Sequence, residues 1–180
     1  TFMVAASVTK GDLLLENVNV NHLKAVINVF RESGQCVKCM NDKIRVSGIG
    51  QIFPLKSVVT EPYPGFPTDA QAIIMTMCTL AKGRSTFIEN IFTGRYKHVS
   101  ELVKLGAKIK VKDRTAIVDG VNELFGNKVY AKDLRGGAAL VLAGLAANGK
   151  TQVFNVNHID RGYENIENSF NLIGADIKRI

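Results

Sequence analysis

The stretch PGFPTDAQAIIMTMCTLA, residues 64–81, decides how this chain folds. Its proline- and glycine-rich start favours a turn. Thr68 and Gln71 then have the spacing of a capping box, which predicts a helix that opens at Asp69. The run Ala72–Leu80 is apolar on every side, and such a helix is stable only where it is buried all round. We therefore predict a buried helix whose positive end carries one carboxylate.

A second apolar run, Gly136–Ala147, follows the residues Asp133-Leu134-Arg135. This run is near twelve residues long, as is Ala70–Ala81, and both are well below the roughly 20 residues that a bilayer-spanning helix needs. Buried helices are therefore predicted rather than membrane spans. The net charge of +7 favours an anionic partner. That partner could be nucleic acid, a membrane surface or a phosphorylated metabolite.

Internal repetition organises the whole chain. Three pairs of glycines recur at similar spacing, in which the first glycine ends an apolar segment and the second ends an amphipathic one. The pairs are Gly11 and Gly34, Gly83 and Gly106, and Gly149 and Gly174, separated by 23, 23 and 25 residues. A strand-like run follows each first glycine: Leu13–Val18, Ser85–Ile91 and Gln152–Val156. Outer helices with one polar face are predicted next, at His22–Ser33, Tyr96–Leu105 and Tyr163–Ile173. Further strands are predicted at Cys36–Met40, Ile44–Val46, Ile109–Val111 and Ala116–Val118.

The repeat predicts a single α/β domain over residues 1–180, with units at approximately 1–60, 67–131 and 132–180. Each unit is helix, strand, helix, strand, and the three apolar helices would pack against one another at the centre. Their N-termini would then lie at one end, where the positive field attracts anions. Three unrelated units with a chance glycine spacing remain the alternative. The first two strand runs share a pattern, Leu15-Glu16-Asn17-Val18 and Ile88-Glu89-Asn90-Ile91.

Departures from the repeat indicate functional residues. The second and third units place Arg95 and Arg161 in a loop between strand and outer helix, where the first unit has no cation. Arginine suits bidentate recognition of carboxylate or phosphate. Ordinary solvated loop charges are the alternative. Asp69 could likewise be only a good first-turn residue, and Asp133 with Arg135 could be only a structural ion pair.

The sequence does not predict a metal site, a cofactor site or a serine nucleophile. Cys36 and Cys39 form a lone CxxC in a strand-like run, and the three histidines lack metal-ligand spacing, so no metal site is predicted. No phosphate-binding loop, dinucleotide fingerprint or serine nucleophile is present, and no cofactor is predicted. RNA binding stays open for a basic α/β chain, although paired aromatic residues of the RRM type are not evident. Three cysteines make a poor disulfide framework, which favours a reduced, cytoplasmic setting.

Four segments together resemble the second half of the UDP-N-acetylglucosamine enolpyruvyl transferase family: Pro64–Asp69, His98–Leu102, Asp133–Arg135 and His158–Glu164. The resemblance spans nearly the whole chain in the right order. It implies an inside-out α/β barrel domain, one of two in the enzyme, with three repeats in each. It also implies transfer of enolpyruvyl from phosphoenolpyruvate to the 3'-hydroxyl of UDP-N-acetylglucosamine, with release of phosphate. This reaction is the first committed step of peptidoglycan synthesis in the bacterial cytoplasm.

The resemblance also implies roles for individual residues. Asp69 would be the general base for the sugar hydroxyl, and Thr68 beside it would bind substrate. Asp133 would take part in proton transfer or domain closure. Substrate-binding roles fall on five further positions: Ile91 and Phe92 beside the nucleotide-sugar, Arg95 and Arg161 at phosphoenolpyruvate, and Arg135. Thr93-Gly94 departs from the acidic-Asn pair that is common in the family.

The chain begins without Met in an apolar segment, which indicates part of something longer. The family's N-terminal-half domain would supply the loop with the general-acid cysteine or its aspartate substitute, so the 180 residues alone are expected to be inactive. Cys36, Cys39 and Cys78 are not assigned that role. Two function classes stay open: one domain of the transferase, or a noncatalytic RNA- or anion-binding module on the same repeats. The first predicts no nucleic-acid or membrane partner.

Overall fold

A computed structural model describes residues 1–48 and 50–180. Its centre consists of three helices that contact one another, α1 (Phe2–Val8), α3 (Thr68–Cys78) and α5 (Leu134–Ala146). Residues 71–78 of α3 and 136–143 of α5 are all buried, so both helices are enclosed on every side as their sequences predict. The hydroxyl of Thr76 donates to the carbonyl oxygen of Ala139 at 3.3 Å, which joins the two helices at mid-length.

Three sheets surround these helices. The first is antiparallel, in the order β1 (Asp12–Leu15), β3 (Lys43–Ser47) and β2 (Cys36–Met40). The second has the order β4 (Val58–Val59), β5 (Arg84–Ile88), β7 (Thr115–Asp119) and β6 (Lys108–Lys112), with only the β4–β5 pair parallel. The third is a parallel pair, β8 (Lys128–Tyr130) and β9 (Gln152–Phe154). The mixed α/β class predicted from the sequence is confirmed.

Further helices pack around this arrangement, namely α2 (Lys24–Glu32), α4 (Val99–Lys104), α6 (Asn157–Asp160) and α7 (Ile166–Asn171). A 3₁₀ turn at Val20–Leu23 precedes α2. Three of these helices were predicted, but each begins later than its amphipathic run. The loop after β9 contains α6, which contacts α5 and buries Ile159.

The strands β1, β5 and β9 end two to three residues before their predicted limits. Asn17 and Asn155 have φ angles of 56° and 59°, in the left-handed region that terminates a strand. Asparagine tolerates this region because its short polar side chain can bond locally. β5 ends in another way: the side chain of Glu89 accepts hydrogen bonds from the backbone N–H groups of Ile91 and Phe92.

The predicted capping box at the start of α3 is wrong. The N-cap is Pro67, and it provides no side-chain hydrogen bond. The side chains of Thr68 and Gln71 both donate instead to Oε2 of Glu89, each at 2.8 Å. The helix does begin within one residue of its predicted start, and Asp69 lies in its first turn.

Two glycines let neighbouring elements approach the start of α5. A Cβ at Gly136 would lie 2.9 Å from Cβ of His98, and one at Gly137 would lie 2.6 Å from Cγ1 of Ile159. Within the described residues, no helix combines the length and apolar character that a membrane crossing requires.

Candidate active site

Asp69 lies between two arginines from different parts of the chain. Its Oδ1 lies 3.3 Å from Nη2 of Arg95, and its Oδ2 lies 3.0 Å from Nη2 of Arg135. Arg95 belongs to the loop after β5, whereas Arg135 belongs to the first turn of α5. The starts of α3 and α5 therefore meet at this carboxylate, as the predicted common end of the buried helices requires. About half of the Asp69 side chain stays exposed, at 52%.

An open pocket of about 380 Å³ surrounds this pair of ion pairs. Its lining consists of Asp69, Arg95, Lys132, Asp133, Leu134, Arg135, His158 and Arg161. Arg161 reaches it from the end of α6, and it forms no ion pair with the residues that the structure describes. Four cations and two carboxylates thus converge at the positive ends of two buried helices, an environment that favours an anionic ligand.

Asp133 has a structural contact of its own in this pocket. It is the N-cap of α5, where its Oδ1 accepts a hydrogen bond of 2.7 Å from the backbone N–H of Gly136. An ion pair between Asp133 and Arg135, which the sequence left open, does not form, because Arg135 pairs with Asp69. Burial opposes the charge of Arg135, but the hydrogen bond and charge of Asp69 outweigh it and raise the guanidinium pKa.

The loop that carries Arg95 makes two kinds of contact, one at the guanidinium and one at its backbone. The guanidinium lies 4.6 Å from the ring centroid of Phe92, within the range of a cation–π contact. Beneath the loop, Oε1 of Glu89 accepts hydrogen bonds from the backbone N–H groups of Ile91 at 2.9 Å and Phe92 at 3.0 Å. Arg95 therefore extends from a segment whose backbone is fixed at its start.

The sequence-predicted residues fall into two groups. Five line the pocket: Asp69, Arg95, Asp133, Arg135 and Arg161. The other three, Thr68, Ile91 and Phe92, lie beside it. The hydroxyl of Thr68 is bonded to Glu89, and Phe92 is half exposed under Arg95. Their contact with a ligand stays a prediction.

Sequence reasoning missed three residues of this region. Lys132 and His158 line the pocket. Lys132 adjoins Asp133, and His158 starts the very segment that carries Arg161, so proximity to the predicted residues was the available signal. Glu89 was noticed only as part of a repeated pattern. Its burial, with 1% of its surface exposed, depends on tertiary packing and leaves no mark in the local sequence.

Two buried titratable groups, His98 and Cys78, do not line the pocket. Burial lowers the pKa of His98 to about 4, against the opposing effects of Asp133 and the Arg95 backbone. Neither ring nitrogen of His98 has a well-formed hydrogen bond to the described residues. Burial also raises the pKa of the Cys78 thiol to about 12, which makes it a poor nucleophile and agrees with leaving it out of the chemistry.

A second depression, about 410 Å³ in volume, lies on the first sheet and is lined by Asp12, Leu14, Met40 and Arg45. Asp12 and Arg45 pair with each other at 2.6 Å, so no net charge converges there. This depression therefore lacks the excess of cations that lines the pocket around Asp69. Among residues 1–48 and 50–180, no three His, Cys, Asp or Glu side chains could jointly hold a metal ion.

Comparison with known proteins identifies the family of this chain. The profile of the EPSP synthase (3-phosphoshikimate 1-carboxyvinyltransferase) family matches residues 1–170. The chain belongs to the EPSP synthase family. One family relative, a UDP-N-acetylglucosamine 1-carboxyvinyltransferase from Desulfofundulus thermocisternus, is 49% identical over 99% of this chain and 73% of its own length. The UDP-N-acetylglucosamine 1-carboxyvinyltransferase 1 of Caldanaerobacter subterraneus subsp. tengcongensis is also 49% identical, over 99% of this chain.

The chain spans 43% of the Caldanaerobacter relative, so it corresponds to less than half of that protein. A solved member of the same fold, the enolpyruvyl transferase NikO from Streptomyces tendae, superposes with a TM-score of 0.89 at 26% identity. That superposition covers 97% of this chain and 42% of the other. The predicted membership of the enolpyruvyl transferases is confirmed. The relatives do not favour the alternative of an RNA-binding module.

Proposed function

We propose that this chain is one of the two domains of a UDP-N-acetylglucosamine 1-carboxyvinyltransferase. The complete enzyme transfers enolpyruvyl from phosphoenolpyruvate to the 3'-hydroxyl of UDP-N-acetylglucosamine and releases phosphate, in the cytoplasmic route to peptidoglycan. The observation that carries the proposal is the position of Asp69, an accessible carboxylate held between Arg95 and Arg135 in a cationic pocket. The names of the relatives at 49% identity support the choice of substrates.

Asp69 suits the role of general base. Adding a hydroxyl across the enol double bond requires a group that takes the hydroxyl proton and one that protonates the methylene carbon. An aspartate in the first turn of a helix is fixed in direction by its backbone, and the two guanidinium groups orient its oxygens. The second group, the acid, is assigned to the other domain.

The arginines suit the phosphoenolpyruvate anion. Arg161 has no ion-pair partner among the described residues, and Arg95 lies across the pocket on a loop. Both can offer paired N–H donors to a carboxylate or a phosphate, where such donors stabilise charge that develops during reaction. Asp133 keeps Oδ1 on the α5 backbone and presents the rest of its carboxylate to the pocket, where we assign it to proton transfer or to domain closure.

The test is a direct assay of the full-length protein. Phosphate release should require both UDP-N-acetylglucosamine and phosphoenolpyruvate, and the sugar product should gain one carboxyvinyl group by mass. A competition experiment covers the alternative: UDP-N-acetylglucosamine should bind in the presence of excess single-stranded RNA. Binding of RNA at Asp69 and its arginines, without any turnover of the two substrates, would refute the proposal.

A further inference from the structure

Glu89 is a buried carboxylate that the chemistry above does not use. It follows β5 directly, has 1% of its surface exposed, and accepts five hydrogen bonds. Oε1 accepts from the Thr60 hydroxyl at 2.9 Å and from two backbone N–H groups of the Arg95 loop, whereas Oε2 accepts from Thr68 and Gln71 on α3. Burial alone would raise the pKa of Glu89, but these donors, foremost the N–H of Phe92, lower it.

The two oxygens of Glu89 bind the two elements that carry the pocket's central ion pair. Thr68 immediately precedes Asp69, and Phe92 lies three residues before Arg95 and supports its guanidinium. A closed circuit of contacts results: Asp69 and Arg95 meet at 3.3 Å on one side. On the other side, Glu89 joins the side chains of Thr68 and Gln71 on α3 to the backbone of the Arg95 loop.

The first repeat provides an internal comparison. Glu16 occupies the same pattern, Leu15-Glu16-Asn17-Val18, yet it is exposed and pairs only with Lys43 on the surface. After it, Asn17 takes a left-handed conformation, whereas Asn90 does not. The route of the Arg95 loop therefore differs from that of the first repeat at Glu89, which is buried and accepts hydrogen bonds from the N–H groups of Ile91 and Phe92.

We propose that Glu89 is a positioning residue for the transfer reaction, which holds Asp69 and Arg95 in register across the pocket. This inference rests on the function proposed above. Glu89 lies beneath the pocket and does not touch a substrate. Its action is to keep the base and the cation at the separation and angle that the reacting hydroxyl and the phosphoenolpyruvate anion require, and small misplacements of such groups cost large factors in rate.

Glu89→Gln tests the inference, because the amide replaces one of two acceptor oxygens by a donor. Oε1 accepts three of the five hydrogen bonds and Oε2 accepts two. The amide nitrogen would therefore face three donors or two, depending on which oxygen it replaces. In the full-length enzyme we expect kcat to fall about 10- to 100-fold. The KM for UDP-N-acetylglucosamine should change little, since Glu89 does not line the pocket. Hydrogen–deuterium exchange over residues 89–95 should accelerate.

Glu16→Gln is the matched control, and it should leave kcat, KM and exchange over residues 89–95 unchanged. Gln71→Met removes one donor to Oε2 while keeping an extended side chain, and it should lower kcat in the same direction by a smaller factor. If Glu89→Gln does not fold, the kcat of Gln71→Met alone tests the inference. A kcat equal to wild type in Glu89→Gln, or in Gln71→Met when only that variant folds, would overturn the inference. A purely structural role would lower the melting temperature and leave kcat per folded enzyme unaltered.

Failure of the proposed function gives a different result. A wild-type enzyme that turns over neither substrate would refute the transferase assignment. Exchange over residues 89–95 would then decide whether Glu89 positions the loop. Faster exchange in Glu89→Gln than in Glu16→Gln would support that role, and equal exchange in the two variants would exclude it.

Discussion

Oδ2 of Asp69 lies 3.0 Å from Nη2 of Arg135, and this contact joins the first turns of two buried helices that are 66 residues apart in the chain. The pair is only partly buried, so its contribution to stability is small, on the order of 1 kcal/mol or less. Its effect is geometric. One carboxylate oxygen is turned toward Arg135 at the start of α5 and the other toward Arg95, which places the proposed base between two guanidinium groups.

Asp69→Asn in the full-length enzyme should lower kcat by about 10² to 10⁴. The amide keeps the shape and can still bind the sugar hydroxyl, but it cannot accept the proton. Steady-state kinetics for each substrate measure the effect. Asp12→Asn is the control, because Asp12 also pairs with an arginine on the surface. An unchanged kcat with a raised KM would make Asp69 a binding residue only.

Arg161→Lys should impair the use of phosphoenolpyruvate and leave the affinity for UDP-N-acetylglucosamine nearly intact. Lysine retains the charge but loses the planar pair of donors, and a loss of roughly 1.5 to 3 kcal/mol in kcat/KM is expected. Arg45→Lys, at an exposed surface pair, serves as control. Equal damage to both substrates together with a lower melting temperature would show that Arg161 is structural.

The 180 residues alone should fold and show negligible turnover. The core helices and their sheets are present, whereas the general acid is assigned to the other domain. Circular dichroism should show one cooperative thermal transition, and phosphate release from the two substrates should stay at background. Release at a rate near that of the full-length enzyme would contradict the proposed division of the site between two domains.

Stability should fall between about pH 6.5 and pH 4 because of His98. The folded-state pKa is lowered to about 4, so in this range the unfolded chain binds a proton that the native site resists, and the free energy of unfolding decreases with falling pH. The contribution is about 2 to 3 kcal/mol over the window. Urea denaturation at several pH values measures it.

His98→Leu should flatten the pH dependence over that window, since leucine has a similar size and no proton to bind. His22→Gln changes an exposed histidine and should retain the wild-type slope. A His98→Leu curve parallel to wild type would show that other groups cause the loss of stability in acid.

Gly137→Ala should destabilise the domain by about 1 to 3 kcal/mol, through overpacking. The new methyl group would lie 2.6 Å from Cγ1 of Ile159 and 3.0 Å from Cβ of Ala131, both of which are buried. Thermal denaturation measures the change. Gly11→Ala is the control, because its Cβ would meet nothing closer than 3.5 Å. Equal melting temperatures for the two variants would mean that α6 moves away from α5 at no cost.

Residues close in sequence were sufficient to predict the two buried helices, three outer helices and most of the strands. The apolar runs of α3 and α5, the alternating strands and the repeat all follow from periodicity, which is a property of neighbouring residues. The same reasoning placed Asp69 in the first turn of a helix and Arg95 and Arg161 in loops. It did not place the strand ends, since those depend on backbone angles at Asn17 and Asn155 and on the inward turn of Glu89.

The sequence by itself determined that two helices must be buried and that charged residues stand at their starts, because an apolar helix has no other stable place in water. Only the tertiary structure decided which charges meet. Arg135 has Asp133 as a close neighbour in the chain but pairs with Asp69, because Asp133 caps α5 and the packing of α3 on α5 brings the other carboxylate within reach. Glu16 and Glu89 share one local pattern, yet one lies on the surface and the other beneath the pocket. The difference arises because burial depends on the elements packed above a residue, which the residues beside it in the chain do not specify.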